Sequence, residues 1–404
     1  MPRFQRERQD GHEQRATTLE LFYDLVFVFA ITQVSHLLLS DLTWGGVGKA
    51  LLTLLVVWWA WNYTTWVTNE LDPESTVVRL LLIGLMLASL LMAVAIPHAF
   101  GSTALLFAGA YVAIQVGRHT FLTFAAADRG TIERERAARI LTWFVAAGIL
   151  WIAGAVAGGD ARTVLWLVAL ALDYGAPLVT FWVPGRSRMD PAAWQVETSH
   201  FAERFQLFII IALGESIVIT GATTSALNLN AARVAALAVA FLSTAAMWWL
   251  YFTYVARIAE RRLELAENRT LLARDGYTYL HVVMVAGIIV SAVGDELVIA
   301  HPTEHLHGAE LWAVVAGPAI YLFAHALFRL RMSGSISWRR LGGAAGCLAV
   351  AALGSLVSAL VVAALVLAVL VGVIAAERIA GARRRRRGDP TPLERLEAEA
   401  QGSS

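Results

Sequence analysis

Long apolar runs alternate with short polar connections along the whole chain. Each run is about as long as a helix that crosses a bilayer, which needs roughly 20 apolar residues. The runs predict twelve spans, at 18–39, 47–68, 76–97, 103–126, 138–157, 162–183, 201–221, 232–256, 276–300, 310–330, 341–357 and 360–378. The last two share one apolar run that is too long for a single helix, with Gly354 and Ser355 near a turn, so two spans or a re-entrant arrangement both stay open.

Composition excludes soluble domains. Of the 404 residues, 58% are hydrophobic and only 16% are charged, whereas soluble domains carry about 25% charged residues. The first 15 residues are polar and no small-residue cleavage site follows the first apolar run, which therefore predicts a retained span rather than a signal peptide. The single cysteine, Cys347, excludes an internal disulfide framework and a CxxC site. We predict an all-α integral membrane protein.

The basic residues predict the orientation, because cytoplasmic loops carry an excess of Lys and Arg. With the N-terminus inside, every one of the 32 Lys and Arg residues falls in an inside segment except Lys49, Arg162 and Arg233 outside and Arg118 and Arg204 within spans. An even number of spans with both termini cytoplasmic follows.

The C-terminal segment begins with an arginine run at 383–387. This run predicts an anchor near anionic lipid, and it does not predict nucleic-acid binding. The polar residues after it predict a disordered tail with at most a short helix.

Two pairs of stretches indicate an internal duplication. "ELFYDLVFVFAITQ" from Glu20 matches "ERFQLFIIIALGES" from Glu203, and "WWAWNYTTW" from Trp58 matches "WWLYFTYVA" from Trp248. We therefore predict a parallel six-plus-six repeat, a plan that many transporters share. The predicted organisation is a cytoplasmic N-terminal segment, a first half, a linker, a second half and a basic then polar tail, at 1–17, 18–183, 184–200, 201–380 and 381–404.

The same two stretches carry a family resemblance. The chain resembles the bacterial low temperature requirement A (LtrA) family in "ELFYDLVFV" (Glu20 to Val28) and in an "ER…LGES" motif (Glu203 to Ser216), and the hydrophobic profile agrees over roughly residues 15 to 380. The resemblance implies a multi-pass protein of the bacterial cytoplasmic membrane. The family name refers to growth in the cold, and the resemblance implies no particular molecular activity.

The first predicted span contains four polar residues. On a helix Glu20 and Asp24 lie about 40° apart, while Gln33 and His36 lie near the opposite face. A charge at the bilayer centre costs roughly 2.5 to 3.5 kcal/mol, so such groups normally have partners or a task. Two interpretations stay open: the carboxylates anchor the helix, by capping it and bonding to Arg204 or a loop arginine, or they take part in ion or proton movement.

The seventh predicted span contains Glu203, Arg204 and Glu215. Arg204 and Glu215 point to one side but lie about 16 Å apart, so they cannot pair. For Glu203 and Arg204 the structural interpretation is an interfacial ion pair. Glu215 lies past the midplane among apolar residues, which favours a functional role over a structural hydrogen bond.

The sixth predicted span contains Asp173 near mid-depth, followed by Gly175 and Pro177. Pro177 lacks an amide hydrogen, so the helix should kink or break there. A carboxylate beside freed backbone groups suits a cation or proton site. The alternative is a structural kink with Asp173 in a buried salt bridge to Arg118 of the fourth span.

Histidines are candidates of lower specificity. His119, His281 and His325 lie within spans, where they could relay protons or serve as hydrogen-bonded packing. The predicted outer loop holds four weak metal candidates, and their spacing matches no zinc template, so a solvated loop is favoured. They are His301, Glu304, His305 and His307. No cofactor is predicted.

The predicted spans contain more acids than arginines, which favours cations over anions. We therefore predict a transporter or channel for protons, cations or a small cationic solute, with the bilayer as its surroundings and no nucleic-acid partner. An intramembrane enzyme acting on lipid is the alternative, although the sequence has no GxSxG or HExxH motif. A membrane sensor or scaffold is the third class, and a homo-oligomer stays open.

Overall fold

The computed structural model describes Phe4, residues 15–190, Trp194 and residues 196–402. In these ranges 81% of the residues are helical, and no strand is present. The chain divides into two compact units, Met1–Arg204 and Phe205–Ser404. The prediction of an all-helical protein is confirmed.

The first unit contains six complete helices and the start of a seventh. They are α1 (Thr18–Ser40), α2 (Trp44–Thr68), α3 (Thr76–Ala95), α4 (Ala104–Phe121), α5 (Ile132–Ala157), α6 (Gly159–Gly175) and the first residues of α7 (Thr198–Ala226). A 3-10 turn extends α3 over Ile96–His98, and a π-helical segment extends α4 over Leu122–Ala126.

The second unit contains the rest of α7 and eight further helices. They are α8 (Ala231–Leu250), α9 (Ala256–Glu264), α10 (Arg269–Ala273), α11 (His281–Ala300), α12 (Gly308–Ser333), α13 (Trp338–Val350), α14 (Ala359–Arg386) and α15 (Pro392–Gly402). Two π-helical segments, Tyr251–Val255 and Arg274–Leu280, join α8 to α9 and α10 to α11.

Short polar side chains mark where several helices begin. The side chains of Thr17, Thr43, Thr131 and Asn230 each accept a hydrogen bond from the backbone amide three residues further on. These bonds satisfy amides that have no partner in the first helical turn. The apolar runs between such residues then form helices, because in a bilayer a spanning backbone must bond to itself.

Nine helices in the described ranges are long and apolar enough to cross a membrane. The candidate spans are Thr18–Ser40, Trp44–Thr68, Thr76–His98, Ile132–Ala157, Thr198–Ala226, Ala231–Glu264, Arg269–Ala300, Gly308–Ser333 and Ala359–Arg386. The multi-pass membrane architecture is confirmed. Three of the twelve predicted spans correspond to the shorter helices α4, α6 and α13, which have 18, 17 and 13 residues.

The sixth predicted span is wrong in its second half. The helix α6 ends at Gly175 instead of continuing to residue 183. The backbone then turns, and Thr180 and Phe181 adopt left-handed conformations with φ of 53° and 50°. The predicted break near Pro177 is confirmed, and it removes the helical hydrogen bonds that the apolar residues after it would have needed.

The C-terminal segment is more ordered than the sequence predicts. The helix α14 continues through the arginine run as far as Arg386. After a short turn, Thr391 caps α15, since its side-chain oxygen accepts a hydrogen bond from the amide of Glu394 at 3.2 Å. The short helix allowed for in this tail is therefore present, with 11 residues.

Candidate functional site

Glu20 lies at the start of α1 and is completely buried. One of its oxygens, Oε2, accepts hydrogen bonds from the backbone amide and the hydroxyl of Thr17 at 2.8 and 2.9 Å. The other, Oε1, lies 2.9 Å from Nε2 of His200 at the start of α7. These contacts correspond to the capping part of the anchoring interpretation, with a histidine as a partner that the sequence did not predict.

Asp24 lies one turn further along α1 and forms a two-pronged salt bridge with Arg204 of α7. The two Nη–Oδ distances are 2.9 and 2.8 Å, and the two side chains are 1% and 0% exposed. The indole nitrogen of Trp61 in α2 also donates to Asp24, at 2.8 Å. The predicted bond between a first-span carboxylate and Arg204 is therefore present.

The structural interpretation of Glu203 and Arg204 as an ion pair is wrong. Consecutive residues of a helix point about 100° apart, so when Arg204 faces Asp24 its neighbour faces elsewhere. The Glu203 carboxylate is half-buried and accepts a hydrogen bond from the backbone amide of Ala16 at 2.7 Å. Glu203 therefore holds the segment that leads into α1.

Asp173 lies near the end of α6 and is 3% exposed. Its Oδ2 atom accepts hydrogen bonds from the hydroxyl of Tyr111 in α4 at 2.8 Å and from the indole nitrogen of Trp151 in α5 at 3.0 Å. Its other oxygen, Oδ1, is buried and has no hydrogen-bond partner among the described residues. Two neutral donors thus hold one oxygen of this carboxylate and leave the other without a donor in that part of the chain.

The alternative of a buried salt bridge between Asp173 and Arg118 is wrong. The buried guanidinium of Arg118 donates to the side chains of Thr64, at 2.8 Å, and Gln115, and to the carbonyl of Ala60 at 3.3 Å. It also lies over the ring of Tyr63, 5.6 Å from the centroid. Neutral groups and a ring therefore stabilise Arg118 in place of a carboxylate.

A chain of hydrogen bonds nevertheless links Asp173 to Arg118. Tyr111 donates to Asp173, Gln115 donates to Tyr111 at 3.1 Å, and Arg118 donates to Gln115. Beyond Arg118, the hydroxyl of Thr64 accepts from Arg118 and from Tyr23 of α1. Two neutral side chains, Tyr111 and Gln115, thus separate Asp173 from Arg118.

His119 follows Arg118 in α4 and is also buried. Its Nδ1 atom lies 3.1 Å from the carbonyl oxygen of Gln115, one helical turn earlier. The ring also packs against Phe144, with centroids 4.9 Å apart. These contacts agree with the hydrogen-bonded packing interpretation of this residue.

The second unit contains a buried cluster in which His325 was a candidate but Arg340 and Glu377 were not. Arg340 of α13 is 1% exposed and donates to Glu377 of α14 at 2.8 Å, to Nδ1 of His325 at 2.8 Å and to the carbonyl of Leu250 at 3.1 Å. From the sequence Arg340 was assigned to a loop, because it lies at the polar edge of an apolar run. The sequence did contain one indication of a buried partner, since Glu377 is a carboxylate within the last predicted span.

A second contact in this unit joins Tyr251 to His281. The Tyr251 hydroxyl lies 2.8 Å from Nε2 of the imidazole, and Nδ1 lies 3.1 Å from the carbonyl oxygen of Gly276. Because a carbonyl oxygen only accepts, Nδ1 carries a proton, and in the neutral ring the tyrosine donates to Nε2. His281 is therefore hydrogen-bonded at both nitrogens.

Comparison with known proteins now adds to this geometry. The model of the bacterial low temperature requirement A protein family matches residues 15–375. The chain belongs to this family. An uncharacterised protein of Rhizobium meliloti strain 1021 is 37% identical over 315 residues, which cover 78% of this chain and 77% of the relative. No solved structure matches the chain.

The remaining predicted positions of this LtrA-family chain differ in their exposure. Glu215 is buried in α7, Gln33 is half-buried and His36 is exposed. His301 lies 2.9 Å from Glu304, and both are exposed, as are His305 and His307. No group of three or more potential metal ligands converges within the described ranges, which leaves the metal site without structural support.

Proposed function

We propose that this LtrA-family protein moves protons or cations across the bacterial cytoplasmic membrane, and that Asp173 is the group that binds and releases the transported charge. The observation that carries the proposal is the surroundings of Asp173. Its carboxylate is buried, and no Lys, Arg or His side chain of the described residues forms an ion pair with it. An ionised carboxylate in such surroundings is costly unless a positive charge reaches it.

A proton suits this position better than a metal ion. Calcium takes six to eight oxygen ligands and magnesium takes six. The groups that bond to Asp173 are a hydroxyl and an indole N–H, and both donate hydrogen to it. A proton on the buried Oδ1 atom needs no further ligands, so we take the proton as the first transported ion to test.

The chain of hydrogen bonds from Asp173 to Arg118 is a means of coupling ion binding at Asp173 to the contacts of Arg118. When Asp173 is ionised, the hydrogen bonds through Tyr111 and Gln115 point from the arginine toward the carboxylate. A proton on Asp173 weakens the hydrogen bond that Tyr111 donates to it, because neutral acceptors form weaker hydrogen bonds than charged ones. Binding of the ion would thereby change the contacts of Arg118 with α2.

We further propose the predicted topology of twelve spans with both termini cytoplasmic, built as two parallel repeats of six. One geometric agreement supports the repeat. In the matched motifs that begin at Trp58 and Trp248, the third positions are Ala60 and Leu250. Each of these carbonyls accepts a hydrogen bond from a buried arginine of its own unit, from Arg118 at 3.3 Å and from Arg340 at 3.1 Å.

An intramembrane enzyme is less well supported. That alternative needs the acids near the start of α1 and α7 to be available as general acid, general base or phosphate-binding groups. Asp24 and Arg204 bind each other, and Glu20 binds Thr17 and His200. We therefore propose no enzymatic activity for this cluster.

Proton flux into proteoliposomes tests the proposal. Replacing Asp173 by Asn keeps the shape of the side chain and one acceptor oxygen but removes the site of protonation. We expect Asp173→Asn to lower the flux driven by an imposed pH gradient by at least about tenfold, equivalent to about 1.4 kcal/mol in the barrier. Internal pH dyes measure the flux, and parallel assays with potassium, sodium and divalent-ion gradients extend the test to other cations.

Asp160→Asn is the matched control, since Asp160 is exposed in the first turn of the same helix. It should retain the flux of the wild-type protein. Flux that Asp173→Asn leaves unchanged would remove Asp173 from the mechanism. A wild-type protein that carries neither protons nor any of the tested cations would overturn the transport proposal itself.

A further inference from the structure

Three segments of the first unit meet at the imidazole of His200. Glu20 comes from the start of α1, Asn69 from the end of α2, and His200 itself from the first turn of α7. The three side chains are 0%, 3% and 0% exposed, respectively. The imidazole bonds to both neighbours, at 2.9 Å to Glu20 and 3.1 Å to Asn69. A single titratable ring thus holds the ends of three helices together.

The orientation of the Asn69 amide is fixed by the backbone of Glu197. The Glu197 amide donates to Oδ1 of Asn69 at 2.9 Å, and Nδ2 of Asn69 donates to the Glu197 carbonyl oxygen at 2.9 Å. Backbone groups have invariant roles, so the oxygen and nitrogen of this side chain cannot be exchanged. Asn69 therefore presents a hydrogen, and not a lone pair, to His200.

The protonation state of His200 follows from this orientation. Because Nδ2 of Asn69 donates, Nδ1 of His200 must accept and carries no hydrogen. The hydrogen of the neutral ring is then on Nε2, where it is donated to the Glu20 carboxylate. A second proton can bind only at Nδ1, the atom that the Asn69 hydrogen bond occupies.

Charged side chains surround this ring. Glu20 and Asp24 of α1 and Arg204 of α7 are buried together. Other charged groups near these helix ends are Glu203 of α7, Glu197 just before α7, Asp72 after α2, and Glu70, which pairs with Arg136 of α5.

We propose that His200 is a proton-binding site and that a proton on Nδ1 opens a latch between the end of α2 and the start of α7. The protonated ring presents a hydrogen to the Asn69 hydrogen, so these two groups repel each other. Asn69 cannot turn its oxygen toward the ring without losing both bonds to Glu197. The contact therefore breaks, while the bond from Nε2 to Glu20 becomes a charged pair. This latch does not depend on the transport proposal.

Hydrogen–deuterium exchange of the purified full-length protein tests the latch. Exchange is measured between about pH 5 and pH 8, the range in which histidine side chains ordinarily change charge, and each rate is corrected for the intrinsic pH dependence of amide exchange. We expect amides around residues 69–72 and 196–201 to lose protection by at least about tenfold on acidification, a ratio that corresponds to about 1.4 kcal/mol of opening free energy.

His200→Gln provides the direct comparison, because glutamine can still donate to Glu20 but does not titrate in this range. Its protection in these segments should not depend on pH. His36→Gln, the same substitution at an exposed histidine of α1, should behave as wild type. A pH-independent wild-type protein, or an acid transition that persists in His200→Gln, would overturn the proposal.

A second variant decides the question if His200→Gln does not fold. Glu20→Gln removes the negative charge beside the ring and keeps an oxygen to accept from it. We expect acidification to cause a smaller loss of protection in this variant than in the wild-type protein, because the protonated ring loses its partner charge. A loss of protection equal to that of the wild-type protein would also contradict the proposed site.

Discussion

Replacing Arg204 by Gln is expected to destabilise the protein by about 3 to 5 kcal/mol, the usual cost of removing one partner of a buried ion pair. The change leaves the Asp24 carboxylate 1% exposed with only the Trp61 indole as a remaining donor among its bonded side chains. An uncompensated carboxylate at such a position must be desolvated without a counter-charge. Unfolding by heat or denaturant in detergent micelles measures the loss.

Two controls separate the buried charge from other effects of the substitution. The double variant Asp24→Asn, Arg204→Gln removes both charges and should recover most of the loss, because neutral groups of similar shape replace both partners. Arg186→Gln removes an arginine whose ion pair with Glu135 is largely exposed, and such pairs are worth about 0 to 1 kcal/mol. If Arg204→Gln costs no more than Arg186→Gln, the salt bridge does not hold α1 to α7.

Hydropathy was sufficient to predict most of the helices, and the reason can be seen at their ends. The first predicted span, 18–39, differs from α1 by one residue, since Thr17 supplies a capping side chain directly before an apolar run. The sixth, 162–183, fails because the residues after Pro177 are as apolar as a helix interior but turn instead. Hydropathy measures transfer into lipid and does not measure whether the backbone can stay helical. The glycine and proline did indicate the break.

The pairing of the buried charges was harder to predict. Glu203 and Arg204 are neighbours in sequence, which favoured an ion pair, yet helical geometry turns them to different sides. Arg204 instead reaches Asp24, 180 residues away. Similarly, Asp173 and Arg118 have opposite charges in the same unit, but Tyr111 and Gln115 lie between them. Which acid pairs with which arginine depends on how the helices pack, and a single sequence does not give those contacts.

Part of the candidate site could be found from the sequence and part could not. Glu20, Asp24, Asp173 and Arg204 were identified because a charge within an apolar run is expensive and therefore informative. His200 was missed because it lies at the polar edge of a span, where polar residues are common and a histidine is therefore not informative. Arg340 was missed for the same reason. Residues at helix ends become recognisable as functional only when the facing helix is known.

The second large effect is expected at Gly287, where α11 and α12 approach each other closely. A Cβ atom added at Gly287 would lie 2.7 Å from the backbone nitrogen of Tyr321 and 2.9 Å from the carbonyl oxygen of Gly317. Small residues let membrane helices come this near. Because the opposing atoms belong to the backbone, a side-chain rotation cannot relieve the overlap, and the two helices must separate.

We therefore expect Gly287→Ala to destabilise the protein by about 1 to 3 kcal/mol, the usual cost of overpacking a well-packed interior. The displacement would also weaken the 2.7 Å hydrogen bond that Tyr321 donates to the carbonyl of Met247.

Gly372→Ala in α14 is the matched control, since no described atom lies near the position that its Cβ would occupy. The same substitution should there be neutral or stabilising by up to about 1 kcal/mol, because alanine is the better helix former. Both variants are compared by unfolding in the same detergent. Equal stability of the two would mean that α11 and α12 are not in backbone contact at Gly287, whereas a loss confined to Gly287→Ala would identify this contact as a main source of stability in the second unit.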